Sequence, residues 1–253
     1  MKAHALQRQA HWVLLALILV LWQSICGLFE VSEFLFPSPS RIAAAFWEHH
    51  ATILGHAWRT WWVTMLGFAI SIVVGTLLGC LMGSSRLAYS AMYPLMTAFN
   101  ALPKAAFVPI LVVWFGIGVG PAVLTAFLIS FFPIMVNIAT GLATLEPELQ
   151  DVLRVLGATR RDLLLKVGLP RSLPYFFGAL KVAITLAFVG TTVSEMTASN
   201  EGIGYLLISA GSSMQMGLAF AGLLVVGAMA MAMYELFAVL ERRLTGWAHR
   251  GQS

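Results

Sequence analysis

The sequence predicts an all-α integral membrane protein, a single domain over residues 1–253 with about six transmembrane helices. Of its 253 residues 59% are hydrophobic and 10% charged, whereas a soluble domain carries about 25% charged residues. So little polar surface cannot cover a water-soluble fold. Apolar runs near the roughly 20 residues needed to cross the hydrocarbon core as a helix recur from end to end with no charged or Ser/Pro-rich linker between them. The 15 Lys and Arg against 11 Asp and Glu gather in alternate connections, the pattern that topology imposes on positive charge. The basic excess therefore points to a membrane rather than to nucleic acid.

The first run, residues 12–28, follows Lys2 and Arg8. No small-x-small cleavage pattern comes after it, and Ile25 before Cys26 disfavours lipoprotein processing, so it reads as a retained helix that directs insertion. Pro37 and Pro39 then lead into a short amphipathic helix around residues 42–54. The second span, 61–83, opens on the aromatic pair Trp61 and Trp62, suited to a membrane interface. Residues 89–115 contain Pro94, Pro103 and Pro109, which predicts a short helix and then a span from about Ala105.

The fourth span starts at Pro121, a favoured first-turn residue, and runs to about Thr144; the fifth covers 175–197 and the sixth 218–240. Between the last two, the Gly/Ser-rich residues 202–217 read as a short helix at or dipping into the outer surface. With the N-terminus cytoplasmic, the inner segments hold Lys2, Arg8, Arg86, Arg154, Arg160, Arg161, Lys166, Arg171, Lys181, Arg242, Arg243 and Arg250. The outer segments hold only Arg41 and Arg59, with Lys104 ambiguous. Both termini are therefore expected in the cytoplasm.

Residues 145–174 form the longest polar stretch between spans. Val152, Leu153 and Leu156, then Leu163, Leu164, Leu165 and Val167, give helical apolar spacing on both sides of Gly157, with Arg154, Arg160, Arg161, Asp162 and Lys166 at the polar positions. Two short helices joined at Gly157-Ala158-Thr159 are expected, able to dock into a soluble partner or to rest on lipid headgroups.

The spacing of Asp151-Val152-Leu153, Gly157 and Val167-Gly168-Leu169-Pro170 resembles the EAA loop of binding-protein-dependent ABC importer permeases: Glu-Ala-Ala, three residues, Gly, nine residues, Ile-x-Leu-Pro. Asp151 stands for Glu, Val152 and Leu153 for the alanines, Val167 for Ile. Further elements are similar to the nitrate/sulfonate/taurine-type branch of that family. They are Pro37-Ser38-Pro39, Leu102-Pro103-Lys104, Val108-Pro109, Trp114-Phe115-Gly116-Ile117-Gly118, Phe132-Pro133-Ile134, Leu156-Gly157-Ala158, Leu173-Pro174 and Glu201-Gly202-Ile203-Gly204.

The resemblance implies the type I importer fold and an alternating-access permease subunit in a bacterial cytoplasmic membrane. It implies a second permease subunit, expected as a homodimer, two ATP-binding subunits and a periplasmic solute-binding protein. ATP and Mg would sit on the ATPase, since this chain has no Gly-x-x-x-x-Gly-Lys-Ser/Thr loop. Asp151, Val152, Leu153, Gly157, Ala158, Val167, Leu169 and Pro170 would couple it to that ATPase. The solute expected is a small anion such as a sulfonate, nitrate or carboxylate.

Ionisable groups in a span are costly, and by default they line a path or pair within the bundle. Glu195, with Thr191 and Thr192, is the first candidate for path or gate; hydrogen bonding between helices, holding the gate's shape, is its alternative role. Lys104 and Asn137 are further candidates. Glu235 is expected to ion-pair near Arg242 and Arg243. Cys26 and Cys80 lie in apolar runs, and no metal site is indicated. A proton-coupled secondary transporter using Glu195 and Glu235 is the rival reading, but it leaves the pattern from Asp151 to Pro170 unexplained. An intramembrane enzyme is disfavoured by the lack of paired aspartates, Gly-x-Ser-x-Gly or His-Glu-x-x-His.

Overall fold

The computed structural model describes residues 2–143, 155–157, 159 and 163–245. Its helices are α1 (Lys2–Leu28), α2 (Pro39–Glu48), α3 (His50–Gly83), α4 (Arg86–Ala101), α5 (Val108–Phe115), α6 (Val119–Ala143), α7 (Leu169–Ala198), α8 (Ile203–Ser212) and α9 (Met216–Leu244). A 3-10 turn, Lys104–Phe107, precedes α5, and a π-helical turn, Leu163–Gly168, runs directly into α7.

Among the described residues four helices, α3, α6, α7 and α9, are long and apolar enough to cross a membrane. α4 and the 3-10/α5 pair are bent by 73°, because Pro103 holds Leu102 extended at ψ 135°. The predicted span from Ala105 is thus corrected: α5 has 8 residues, about 12 Å of helix, too short to cross the hydrocarbon core by itself. Two shorter apolar helices remain among the described residues: the Val13–Leu28 part of the 27-residue α1, and α8.

The boundaries of three further helices differ from expectation. The amphipathic helix placed at 42–54 starts at Pro39 and stops at Glu48, where His49 leaves helical geometry at φ −111°; α3 then begins at His50 rather than at Trp61. Its 34 residues span about 51 Å, well over the roughly 30 Å core, so the helix carries His56 and Arg59 on turns that precede its apolar stretch. α7 begins at Leu169 rather than Tyr175 and carries Pro174 inside it. Of the two short helices expected around Gly157, the stretch from Leu163 is a π turn continuous with α7.

The bundle is built on α3, α6 and α7. α3 presents a stripe of small residues every fourth position, Gly67, Ser71, Gly75, Gly79 and Gly83. A Cβ on Gly79 would come within 2.7 Å of the Met135 carbonyl and 2.8 Å of Ile138 Cβ; on Gly67 it would meet Ala126 Cβ at 2.6 Å. Lacking those atoms, the two backbones pack at close range, and the gain is in dispersion contacts that lipid tails would not supply. Ser71 and Ser130 hydroxyls bond at 2.7 Å across the same seam. Gly190 of α7 faces the backbone of Thr125 and Ala126 in the same way. Ile134, Ile138, Ile184, Phe188 and Ile203 fill the core around it.

Candidate functional site

α7 ends at Ala198, Ser199 is extended, and Gly202 takes φ +99°, a conformation that disfavours any residue with a Cβ. α8 starts immediately after. Helix N-termini leave backbone N–H groups without intrahelical partners, and here three successive ones are taken by side chains of other helices. The Gly202 N–H donates to His56 Nδ1 at 3.0 Å, the Ile203 N–H to Thr60 Oγ1 at 2.8 Å, and the Gly204 N–H to Glu195 Oε2 at 3.0 Å.

The acceptors are themselves tied together. His56 and Thr60 are one turn apart on α3. The Thr60 hydroxyl donates to Glu195, at 2.8 Å to Oε2 and 3.0 Å to Oε1. One turn further, the Thr64 hydroxyl donates to the Thr60 carbonyl at 2.7 Å and meets Thr191 Oγ1 at 2.9 Å. Glu195 is 2% exposed and Thr60 0%. A buried carboxylate is costly unless its hydrogen bonds are supplied, and here donors from α3 and α8 supply them while the positive end of the α8 dipole faces the charge.

This geometry accounts for Glu201-Gly202-Ile203-Gly204. A Cβ at Gly202 would fall on the Glu195 carboxyl, and one at Gly204 on the Thr192 carbonyl and Glu195 Cβ. The first residue of the motif, Glu201, pairs with Arg59 Nε at 3.0 Å, and the Arg59 guanidinium lies 4.8 Å from the Trp62 ring centre. An open cavity of about 440 Å³, lined in part by His56, Trp58, Arg59, Trp62 and Glu201, adjoins the turn. α3 thus grips the α7–α8 connection over three turns.

Glu195 and Thr191 meet in this cluster, with Thr192 beside it: its hydroxyl bonds to the Phe188 carbonyl at 2.8 Å and its own carbonyl abuts Gly204. Lys104 and Asn137 lie elsewhere. Lys104 Nζ donates to the Asn100 carbonyl and Oδ1 at 2.9 and 2.8 Å, closing the end of α4. Asn137 Nδ2 donates to the Pro133 carbonyl at 2.8 Å. Glu235 is exposed and makes no ion pair among the described residues; the pair formed nearby is Lys181–Glu241, 2.6 Å apart, with side chains 20% and 16% exposed.

In the polar stretch, Gly157 is exposed with φ +86°, Val167 sits half-buried in the π turn, and Leu169 and Pro170 open α7. Asp151, Val152, Leu153 and Ala158 lie outside the described residues. No group of three His, Cys, Asp or Glu converges as a metal site among the described residues. His56 and Thr60 were not singled out by sequence reasoning. The available signal was an acceptor pair four residues apart just before a span, with a Gly-x-Gly further along the chain.

Residues 71–246, which include α6 to α9 and the polar stretch, match the family described as binding-protein-dependent transport system inner membrane component. This chain belongs to that family. The permease is 32% identical over 237 residues to the riboflavin transport system permease protein of Chloroflexus aurantiacus, covering 93% of this chain and 88% of that one. It is 26% identical over 247 residues to the taurine transport system permease protein of Escherichia coli, covering 92% and 87%. Its fold matches the MetNI methionine ABC transporter in an inward-facing conformation, with a TM-score of 0.67 at 17% identity over 78% of this chain and 98% of that one. The permease is a multi-pass inner-membrane transport subunit of a binding-protein-dependent ABC importer.

Proposed function

We propose that the permease forms a homodimer over two ATP-binding subunits, which hold ATP and Mg, and receives a small anionic solute from a periplasmic binding protein. Residues 145–174, with Gly157, Val167, Leu169 and Pro170 among them, are the lever that docks on the ATPase. The single observation that carries the reading is the family match across residues 71–246, which takes in both this stretch and Glu195 with the α7–α8 turn. Both termini and Gly157 face the cytoplasm, and Trp47 and Ser212 face outward. α8 is then part of the outer closure of the path, and Glu195 keeps it seated on α3 and α7 as the bundle alternates. Thr191 and Thr192 line the same support, while Lys104 and Asn137 stand nearer the path.

A sulfonate, nitrate or carboxylate is the proposed cargo, supported by the similarity to a permease named for taurine. ATP-driven uptake by the assembled transporter in proteoliposomes, assayed with taurine, an alkanesulfonate, nitrate and riboflavin, tests it. Transport of an anion is the expected result, and uptake of riboflavin alone overturns the anionic assignment. Single cysteines at Trp47, Val155 and Ser212, in a background without Cys26 and Cys80, report sidedness through a membrane-impermeant thiol reagent on intact cells. Labelling at Val155 but not at Trp47 reverses the topology.

A further inference from the structure

Of the three side chains that cap α8, His56 is the one whose acceptor is an imidazole nitrogen. To accept the Gly202 N–H at 3.0 Å, Nδ1 must carry a free lone pair, so the ring is neutral with its proton on Nε2. Protonation places a second N–H on Nδ1, and two donors then face each other across a hydrogen-bond distance with no acceptor between them. Imidazole is the side chain whose charge ordinarily changes between about pH 5 and 8. His56 is half-buried and lines the open cavity of about 440 Å³, so water and protons reach it without unfolding.

The groups facing His56 define where a cationic ring would go. On α3 these are Arg59 and Thr60; from the turn, Glu201; from α8, the Tyr205 ring at 5.9 Å between centres; from α7, Glu195 behind Thr60. Glu201 is the exposed acceptor of the set, with 61% of its side chain accessible, and its Oε2 lies 3.0 Å from Arg59 Nε. An imidazolium turned away from Gly202 has this carboxylate within the same cavity. Thr60 and Glu195 keep their bonds to Ile203 and Gly204, so the turn loosens at its first residue only.

We infer that His56 is a positioning residue and a protonation-dependent latch: the neutral ring fastens Gly202 to α3, and the protonated ring releases it and pairs with Glu201. The functional consequence rests on the proposed role of α8 in the outer closure, because a loosened Gly202 removes one of the two bonds that tie the start of that helix to α3.

Hydrogen exchange on the full-length permease in lipid nanodiscs tests this, with the Gly202, Ile203 and Gly204 amides resolved by fragmentation and labelling times scaled to equal intrinsic exchange at pH 8 and 5.5. In the parent, Gly202 protection is expected to fall by up to about tenfold per pH unit once the ring titrates, with Ile203 and Gly204 changing less. His56→Asn places Oδ1 where Nδ1 was and does not titrate, so its Gly202 protection should be the same at both pH values. His56→Ala should be unprotected at both. A parent with pH-independent protection, or His56→Asn following the parent's pH dependence, overturns the latch. Glu195→Ala separates this from the underlying reading: if it leaves Gly204 protected, the capping role of Glu195 fails. If it exposes Gly204 while Gly202 in the parent is insensitive to pH, only the latch fails.

Discussion

Replacing Glu195 is the perturbation whose outcome the structure defines most narrowly. Glu195→Ala strands two buried donors, the Gly204 N–H and the Thr60 hydroxyl. A buried donor left without an acceptor costs about 1–3 kcal/mol; the hydroxyl can rotate to another acceptor and the amide cannot, which places the total at about 2–4 kcal/mol. Glu195→Gln should cost far less. Oε2 alone receives both the Gly204 N–H and the shorter Thr60 bond, so an amide oxygen at that point keeps both donors. The amide nitrogen then replaces Oε1 and can donate to Thr60 Oγ1, which has a lone pair left after accepting the Ile203 N–H. What remains is the lost attraction between the charge and the α8 N-terminus, about 1 kcal/mol, offset by the smaller desolvation cost of a neutral amide. Equilibrium unfolding of the purified permease in mixed micelles reads these differences, and Thr60→Val should be non-additive with Glu195→Ala by at least about 1 kcal/mol. A Gln variant less stable than the Ala variant, or an Ala variant as stable as the parent, refutes the reasoning.

Two other substitutions report on the scaffold that holds the cluster. Gly79→Leu must part α3 from α6, because even a Cβ there lies 2.7 Å from the Met135 carbonyl; a loss of about 3 kcal/mol should appear as a lower yield of folded, monodisperse protein. Gly227→Leu, whose Cβ would meet nothing within 4 Å, is the matched control. Lys181→Met leaves Glu241 mostly buried and unpaired, for about 2 kcal/mol after allowing for its partial exposure, and the reversed pair Lys181→Glu with Glu241→Lys should recover most of it in the same unfolding assay.

The class of the molecule was legible because a membrane span announces itself by composition: the apolar runs of α3, α6, α7 and α9 were all foreseen. Their ends were less so. α3 extends back to His50 because His56 and Arg59, though polar, find partners on the turn before α8, and hydropathy records only the apolar part of the helix. The break at Pro103 was expected from proline alone, but the shortness of α5 and the 73° bend depend on packing against α6 that local sequence does not encode. Glu195 was found by the cost of burying a carboxylate, but its partners lie 135 and 9 positions away along the chain. A distance of that kind is invisible to spacing rules, so Thr60 and His56 were missed. The spacing of small residues from Gly67 to Gly83 was present in the sequence and marks the α3–α6 seam. Glu235 was paired by proximity in sequence, whereas Lys181 reaches Glu241 across two helices.

The central claim is that this chain is the path and lever of an importer driven by a separate ATPase, and the turn at Gly157 is where that claim is most exposed. Gly157 has φ +86°, and among the described residues nothing lies within 4 Å of a Cβ placed there, so a bulky L-residue strains the backbone by about 1–2 kcal/mol while the spans stay untouched. The decisive measurement is ATP hydrolysis by the nucleotide-binding subunit that co-purifies with the tagged permease, compared between the parent and Gly157→Trp in the same membranes. The account predicts that the variant is inserted at parental levels but loses its ATPase or the transport-linked part of its hydrolysis; parental co-purification with fully coupled hydrolysis would contradict it.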